Sequence, residues 1–331
     1  MNTSENVTIV VDAMGGDNAP QVVLDGIAQA LQEDENLEVI VTGLAEVVEP
    51  FAAEHDRCTA RATTEVIEMA DHPATAVRKK KDSSIVVGCR LVKEGSAQGF
   101  FSAGSTGACL AAGTLIIGRV KGITRPCLCS VLPSPVKPVV MADIGANADC
   151  KPEYLVQFAQ MASIYAEKII NIPNPNVALL NIGSEDTKGN QFSLQAHELL
   201  KEQVPQFVGN AEGNDVLTAH YDVFVCDGFT GNVVLKTIEG TSKVLFSSLK
   251  DIFFKNIVTK IAALVLKGGM KELKDHVSPD TYGGAPLLGV KGACIVGHGS
   301  SNAFAVKNGI KMTARMARLH VSELIAETVS K

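Results

Sequence analysis

The chain has no tryptophan, and its aromatic content is only 5%. A surface that stacks nucleobases needs aromatic rings. A net charge of −6 gives no overall attraction for a polyanion, so nucleic acid is not an expected partner. None of the eight cysteines (58, 89, 109, 127, 129, 150, 226 and 294) forms a C-x-x-C, and no histidine sits at ligand spacing from them. That argues against a zinc site and a disulfide framework and suits a reducing compartment. No apolar run approaches the roughly 20 residues of a spanning helix. No G-x-G-x-x-G follows a strand-like run, which argues against a nicotinamide dehydrogenase. Met1–Asn6 contain no Lys or Arg, and Asp12 ends the apolar run Val7–Val11 too early for a signal peptide. The expected location is the cytosol.

What the chain does have is 331 residues, 46% of them hydrophobic and 20% charged, as in a globular enzyme with a sizeable core. Short apolar runs repeatedly end in a glycine-rich polar turn that opens into a helical pattern. The turns are 12–17, 102–107, 143–147, 181–190 and 227–232, with a looser case at 297–302. Val7–Val11, Leu37–Thr42, Gly99–Ser102, Val139–Ala142, Val177–Leu180 and Val223–Val225 read as strands. Strands alternating with helices predict an α/β fold, a mostly parallel sheet covered on both faces. In such sheets ligands bind at the carboxyl ends of the strands, and the turns are expected to share that edge. Asn18 reads as the cap of the first helix, with Pro20 in its first turn. Four prolines within 125–138 suggest a lobe boundary or rim.

Anions bind where helix N-terminal amides lack partners and glycine admits close approach. Ser105, Thr106 and Gly107 have that character, with two hydroxyls, although an ordinary strand–helix turn looks the same. Asp12, Gly15, Gly16 and Asp17 form a second turn, whose carboxylates repel phosphate unless paired. Lys188 lies in a polar turn where it is either a solvated lysine or a point charge for phosphate. Asn232 either caps the following helix or donates its amide to an oxyanion. Asn147 is a candidate to orient a ligand. His298, between two glycines, is either backbone-bonded or a proton donor. Cys109 and Cys226 lie near these turns and read as core filler.

A different pattern spans 251–275. Ile257, Val258, Ile261, Leu264 and Val265 fall on one helix face, Lys260 and Lys267 on another, and Gly268-Gly269 predicts a break. The face packs on the core, on a second copy, or on an anionic membrane.

Several of these turns, in order, resemble the signatures of the bacterial phosphate acyltransferases of phospholipid synthesis (PlsX family). The matching segments are Val11-Asp-Ala-Met-Gly-Gly-Asp-Asn-Ala-Pro20, Asn181-Ile-Gly-Ser-Glu-Asp-Thr-Lys-Gly-Asn190, Asp227-Gly-Phe-Thr-Gly-Asn-Val-Val-Leu-Lys236 and Gly283-Gly-Ala-Pro-Leu-Leu-Gly289. Ser105 departs from the family, which more often has Asn there. The resemblance implies a Rossmann-like three-layer αβα sandwich similar to the isocitrate/isopropylmalate dehydrogenase fold. It implies one domain over 1–331 with a protruding helical hairpin at about 250–276. It implies a homodimer, no metal and no cofactor. The implied reaction joins inorganic phosphate to the acyl group of a fatty acyl–acyl carrier protein. The implied membrane contacts are Ile257, Ile261, Ala262 and Val265, at the inner face of the membrane, with a membrane glycerol-phosphate acyltransferase as a further partner.

Phosphate is already an anionic nucleophile, and the leaving thiolate has a conjugate acid with a pKa near ~8.5. The site must therefore hold phosphate, align it and stabilise the oxyanion. On this reading Lys188 and Asn232 hold phosphate or the tetrahedral intermediate. Ser105, Thr106 and the amides around Gly15, Gly16 and Gly107 complete the cradle, and His298 assists thiolate departure. The rivals are an acyl-coenzyme A enzyme of phosphotransacetylase type and a non-catalytic scaffold that binds acyl carrier protein at the membrane surface.

Overall fold

The apolar runs become strands, and the glycine turns deliver the chain to helices. The first half comprises β1 (Val7–Asp12), α1 (Gln21–Glu33), β2 (Leu37–Leu44), α2 (Ala45–Ala53), β3 (Cys58–Thr63), α3 (Pro73–Lys79), α4 (Ser84–Lys93), β4 (Gly99–Ser102) and α5 (Thr106–Ala112). A π-helical turn, Gly113–Ile117, extends α5. There follow β5 (Cys127–Leu132), β6 (Val139–Ala142), α6 (Pro152–Lys168), β7 (Val177–Leu180), α7 (Gln191–Gln203), β8 (Phe207–Ala211) and β9 (Val223–Val225). Two long helices, α8 (Gly228–Phe254) and α9 (Ile257–Val277), precede β10 (Ala285–Leu288), β11 (Ala293–Val296), α10 (Ala303–Arg318) and α11 (Val321–Val329). This is a computed structural model that describes residues 5–329, apart from 133, 135 and 278.

The eleven strands form one sheet in the order β3-β2-β1-β4-β11-β10-β5-β6-β9-β7-β8. Alternation along β1 serves both faces. Ile9 and Val11 point to a layer containing Ile27 of α1, Phe158 of α6 and Ile310 of α10. Val10 points the other way, into a cluster with Phe100, Met141, Phe224, Val86 of α4, Ala108 of α5 and, at its margin, Ile238 of α8. The three-layer αβα expectation therefore holds. On the first face α1 meets α10 so closely that a methyl group at Gly26 would sit 2.5 Å from Val306 Cγ1.

Several local expectations need correction. The segment 125–138 is not irregular throughout, because Cys127–Leu132 forms β5, a strand in the middle of the sheet paired with β10 and β6. Pro133 and Pro135 lie outside the described residues. Asn18 makes no side-chain cap; the cap position of α1 is Pro20, without a capping side chain. β3 and β8 carry no clear apolar signature of their own, and in β5 and β10 the apolar residues are flanked or interrupted by proline. α9 also runs unbroken through Gly268 and Gly269. Each glycine costs roughly 1 kcal/mol there, and cooperative propagation along 21 residues carries the helix across.

The hairpin is long and sparsely covered. The 27 residues of α8 span about 40 Å, and its buried residues are Gly228 and Gly231, in its first turn. In α9, Ile257, Val258, Ile261, Leu264 and Val265 are all exposed, Val265 to 81%. No described helix is long and apolar enough to cross a membrane.

Candidate active site

Strand direction sorts the six turns into two sets. β3, β2, β1, β4 and β11 are mutually parallel. β10 runs against β11 and β5, and β5 runs against β6. β6, β9, β7 and β8 are again parallel to one another. Two reversals separate β10 from β11 and β5 from β10, and a third, between β5 and β6, turns the second parallel block opposite to the first. The expected single edge is thus two oppositely directed ones. The turns after β1, β4 and β11 make one set, and those after β6, β7 and β9 the other. The helices that follow from each, α5 and α8, lie on the same face of the sheet.

In the first set Asp12 is 1% exposed and accepts Ser102 Oγ at 2.7 Å and the Met14 amide at 3.0 Å. Burial raises its carboxyl above the ordinary range, and those hydrogen bonds oppose the shift. Asp12 is therefore internal, not a ligand-facing charge. Ser102 Oγ also accepts the Gly104 amide at 3.0 Å. Gly15 is obligatory, because an added Cβ would lie 2.5 Å from the Gly104 nitrogen and 2.7 Å from Asp12 Oδ2. Gly16 has φ +114°, and the Asp17 amide donates to the Gly299 carbonyl at 2.7 Å. That bond ties the first and last turns of the set together. Buried Ser105 spends its hydroxyl capping α5 through the Ala108 amide at 3.4 Å. Thr106 is exposed. Gly107 has a packing reason, since a Cβ there would lie 2.5 Å from Pro73 Cγ. His298 is exposed, and its Nδ1 accepts the Ser300 amide at 3.2 Å. That bond leaves the neutral ring's proton on Nε2.

In the second set Asp143 is fully buried. Its Oδ1 accepts the amides of Leu128, Gly145 and Ala146 at 3.0–3.1 Å. Burial pushes its carboxyl upward, against those bonds. Asn147 donates its Nδ2 to Asp143 Oδ2 and to the Pro126 carbonyl, both at 2.8 Å. Its carbonyl accepts the Gly228 amide at 2.8 Å. Asn147 is a brace between β5 and α8, with no side-chain donor left for a ligand. Asp227, not Asn232, caps α8, taking the Thr230 amide at 2.9 Å and Thr230 Oγ1 at 2.7 Å. Asn232 lies in the second turn of α8, exposed, about level with Gly145, where an added Cβ would be 3.9 Å from its Oδ1. A Cβ at Gly231 would overlap the Asp143 carbonyl oxygen, so glycine there lets α8 press onto the Asp143 turn.

Lys188 follows β7, the strand paired in parallel with β9, which leads to Asn232. The two residues therefore issue from carboxyl ends of neighbouring strands. The Lys188 side chain is 49% exposed, and its Nζ lies 3.9 Å from Glu185 Oε1. Ser184, Glu185, Asp186 and Thr187 are exposed beside it. Sequence reading passed over what lies behind this turn: His197 and Asn210, both buried, meet Nδ1 to Oδ1 at 2.9 Å. Nothing in the helical setting of His197 singled it out.

Cys109 and Cys226 are buried, and burial raises both thiols well above their usual range. Neither is poised as a nucleophile. No cluster of acidic, cysteine or histidine side chains among the described residues suits a metal ion.

Residues 7–324 match the family model described as "Fatty acid synthesis protein". The chain is 44% identical over 328 residues to the phosphate acyltransferase of Clostridioides difficile (strain 630), covering 98% of this chain and 96% of that one. It is 48% identical over 308 residues to the phosphate acyltransferase of Desulfitobacterium hafniense (strain Y51), covering 92% of each. The chain belongs to the phosphate acyltransferase family. The fold is also that of more distant acyl-transfer enzymes. A phosphotransacetylase from Streptococcus pyogenes superposes with a TM-score of 0.63 at 20% identity, over 95% of this chain and 94% of that one. A branched-chain phosphotransacylase from Enterococcus faecalis V583 gives 0.60 at 14% identity, over 94% and 99%. The segments 11–20, 181–190 and 227–236 supply one turn of the first set and two of the second.

Proposed function

We propose that this chain transfers a fatty acyl group from acyl carrier protein to inorganic phosphate, releasing acyl phosphate and free carrier protein for phospholipid synthesis. The observation that carries the site assignment is that Lys188 and Asn232 follow adjacent parallel strands, β7 and β9, and are both exposed. Lys188 attracts the phosphate. A phosphate oxygen attacks the thioester carbon, forming the C–O bond. Asn232 donates to the oxyanion, which collapses with cleavage of the C–S bond. The thiolate leaves and takes a proton from water or from His298 in its imidazolium form, which returns to the neutral ring. Thr106 and the amides of the Gly15–Gly16 turn, which issue from the other edge, are the candidates to reach the same anion across the face shared by α5 and α8; the Ser105 hydroxyl is already spent on the Ala108 amide. Cys109 and Cys226, buried with raised thiols, support direct transfer without an acyl-enzyme.

The same reading includes a homodimer and a peripheral attachment of the hairpin to the inner face of the membrane, through Ile257, Ile261, Ala262 and Val265. A membrane glycerol-phosphate acyltransferase is the proposed consumer of the product. The deciding experiment incubates the purified protein with phosphate and either long-chain acyl–acyl carrier protein or acyl-coenzyme A, and traps acyl phosphate as hydroxamate. Product from the carrier-protein thioester is expected. Product from coenzyme A alone supports the phosphotransacetylase-type rival, and no product from either supports a scaffold.

A further inference from the structure

The turn that presents Lys188 is gripped from behind by a buried polar pair with no part in the chemistry just described. His197, on α7, is 2% exposed, and Asn210, on β8, is 3% exposed. Asn210 Nδ2 donates to the Glu185 carbonyl oxygen at 2.8 Å. Its Oδ1 faces His197 Nδ1 at 2.9 Å. The amide fits only this way round, because its NH2 is needed opposite a carbonyl, so the imidazole carries a proton on Nδ1. Phe207 packs edge-on against the ring, with centroids 5.1 Å apart at 80°. The pair is therefore fixed in both position and direction.

Its hydrogen bonds converge on one residue. The Glu185 carbonyl that accepts Asn210 also accepts the Lys188 amide, at 3.0 Å. The Lys188 carbonyl accepts Asn181 Nδ2 at 3.0 Å. The backbone of Lys188 is held on both sides, while its side chain has only the 3.9 Å approach to Glu185. The neighbouring Asp186 is held too, by Lys201 at 3.2 Å. A rigid base under a free cationic side chain is what aligning a small anion requires.

We propose that Asn210, oriented by His197, is a positioning residue that sets where Lys188 meets the anionic substrate. This rests on the assignment of Lys188 above. Replacing the buried NH2 by an oxygen would set two acceptors against each other and release the Glu185 carbonyl. A displacement of about 1 Å at a substrate-holding group costs on the order of 100-fold in rate when it is not recovered on binding.

The test is a double-mutant cycle of Asn210→Asp with Lys188→Ala, with phosphate and thioester varied separately and thermal stability followed. Asn210→Asp is expected to raise the phosphate KM about tenfold while the thioester KM changes by less than about twofold; in the Lys188→Ala background the same change should cost less than about twofold. A phosphate KM left unchanged, or equal costs in both backgrounds, overturns the proposal. Full activity in Lys188→Ala overturns it together with the Lys188 assignment; additive costs with an impaired Lys188→Ala overturn it alone. If Asn210→Asp does not fold, His197 supplies the second arm. His197→Phe keeps a ring against Phe207 but loses the Nδ1 donor, whereas His197→Gln keeps a donor. A raised phosphate KM in the first and a near-normal one in the second is expected, and equal values overturn the proposal.

Discussion

Asp143 Oδ2 accepts both the backbone amide and the side-chain amide of Asn147, each at 2.8 Å. This two-point bond closes the turn after β6, and the second Nδ2 bond, to Pro126, anchors it to the start of β5. α8 then docks on the turn through the Gly228 amide and the Asn147 carbonyl. Asn147 therefore governs the platform beneath Asn232.

Asn147→Ala is accordingly expected to act on stability first. It strips Asp143 Oδ2 and the Pro126 carbonyl of a donor, and leaving such groups unpaired costs about 1–3 kcal/mol. Chemical denaturation should show a lower midpoint with an unchanged slope. A variant with wild-type stability and lost activity would return Asn147 to the ligand-binding candidates.

Lys188→Ala and Asn232→Ala should behave in the opposite way. Both side chains are exposed, and Lys188 has only the 3.9 Å approach to Glu185. Stability should stay within about 0.5 kcal/mol of the parent. Turnover should fall on the order of 100-fold or more for each, the loss typical of a removed oxyanion or phosphate donor. Steady-state kinetics beside a thermal melt separates the two effects, and near-parental turnover would remove the residue from the site.

Asp12 gives a prediction with a definite sign. Burial raises its folded carboxyl above the ordinary value of 3.8. Its contribution to stability is full below that value and is lost as pH rises through the folded pKa, where a buried charge must form. Asp12→Asn cannot ionise. The melting temperature of Asp12→Asn minus that of the parent should therefore become more positive as pH rises from about 4 towards neutrality. The loss of bonds from Ser102 and Met14 shifts both ends of this curve but not its slope. A difference that is flat or falls with pH would mean that Asp12 is not a buried acid.

Much of this architecture is legible in the sequence because it rests on local physics. Buried parallel strands need unbroken apolar runs, and Val139–Ala142, Val177–Leu180 and Val223–Val225 form strands with those same limits. β3 was missed because its solvent-facing positions carry polar residues, as at Thr59, and β8 because the buried polar Asn210 breaks its apolar run. β5 was missed because its flanking prolines speak for irregular backbone, while its pairing with β10 joins residues about 160 apart in sequence. The division of the turns into two sets was hidden for the same reason. Strand direction depends on β10 and β5, and nothing local to the turns records it. In the site, residue type was readable and bonding was not. Asn147 and Asn232 look alike as sequence, yet Asn147 has both side-chain donor bonds made and Asn232 has none among the described residues.

The hairpin supplies the last prediction. Ile257, Ile261 and Val265 recur at i, i+4 and i+8, which places them on one face of α9, and all three are more than half exposed. Lys260 and Lys267 stand beside that face and favour an anionic surface. Burying a charge in the acyl boundary is costly, so Ile261→Glu should release the protein from anionic vesicles. Activity on soluble acyl–acyl carrier protein should persist, because Ile261 lies far along the hairpin from Asn232, near the opposite end of a helix about 40 Å long. Co-sedimentation with anionic and neutral vesicles, paired with the hydroxamate assay and a measurement of molecular mass, separates the possibilities. Unchanged sedimentation would place this face against a second copy of the chain, and a fall in mass on Ile261→Glu would identify that contact directly.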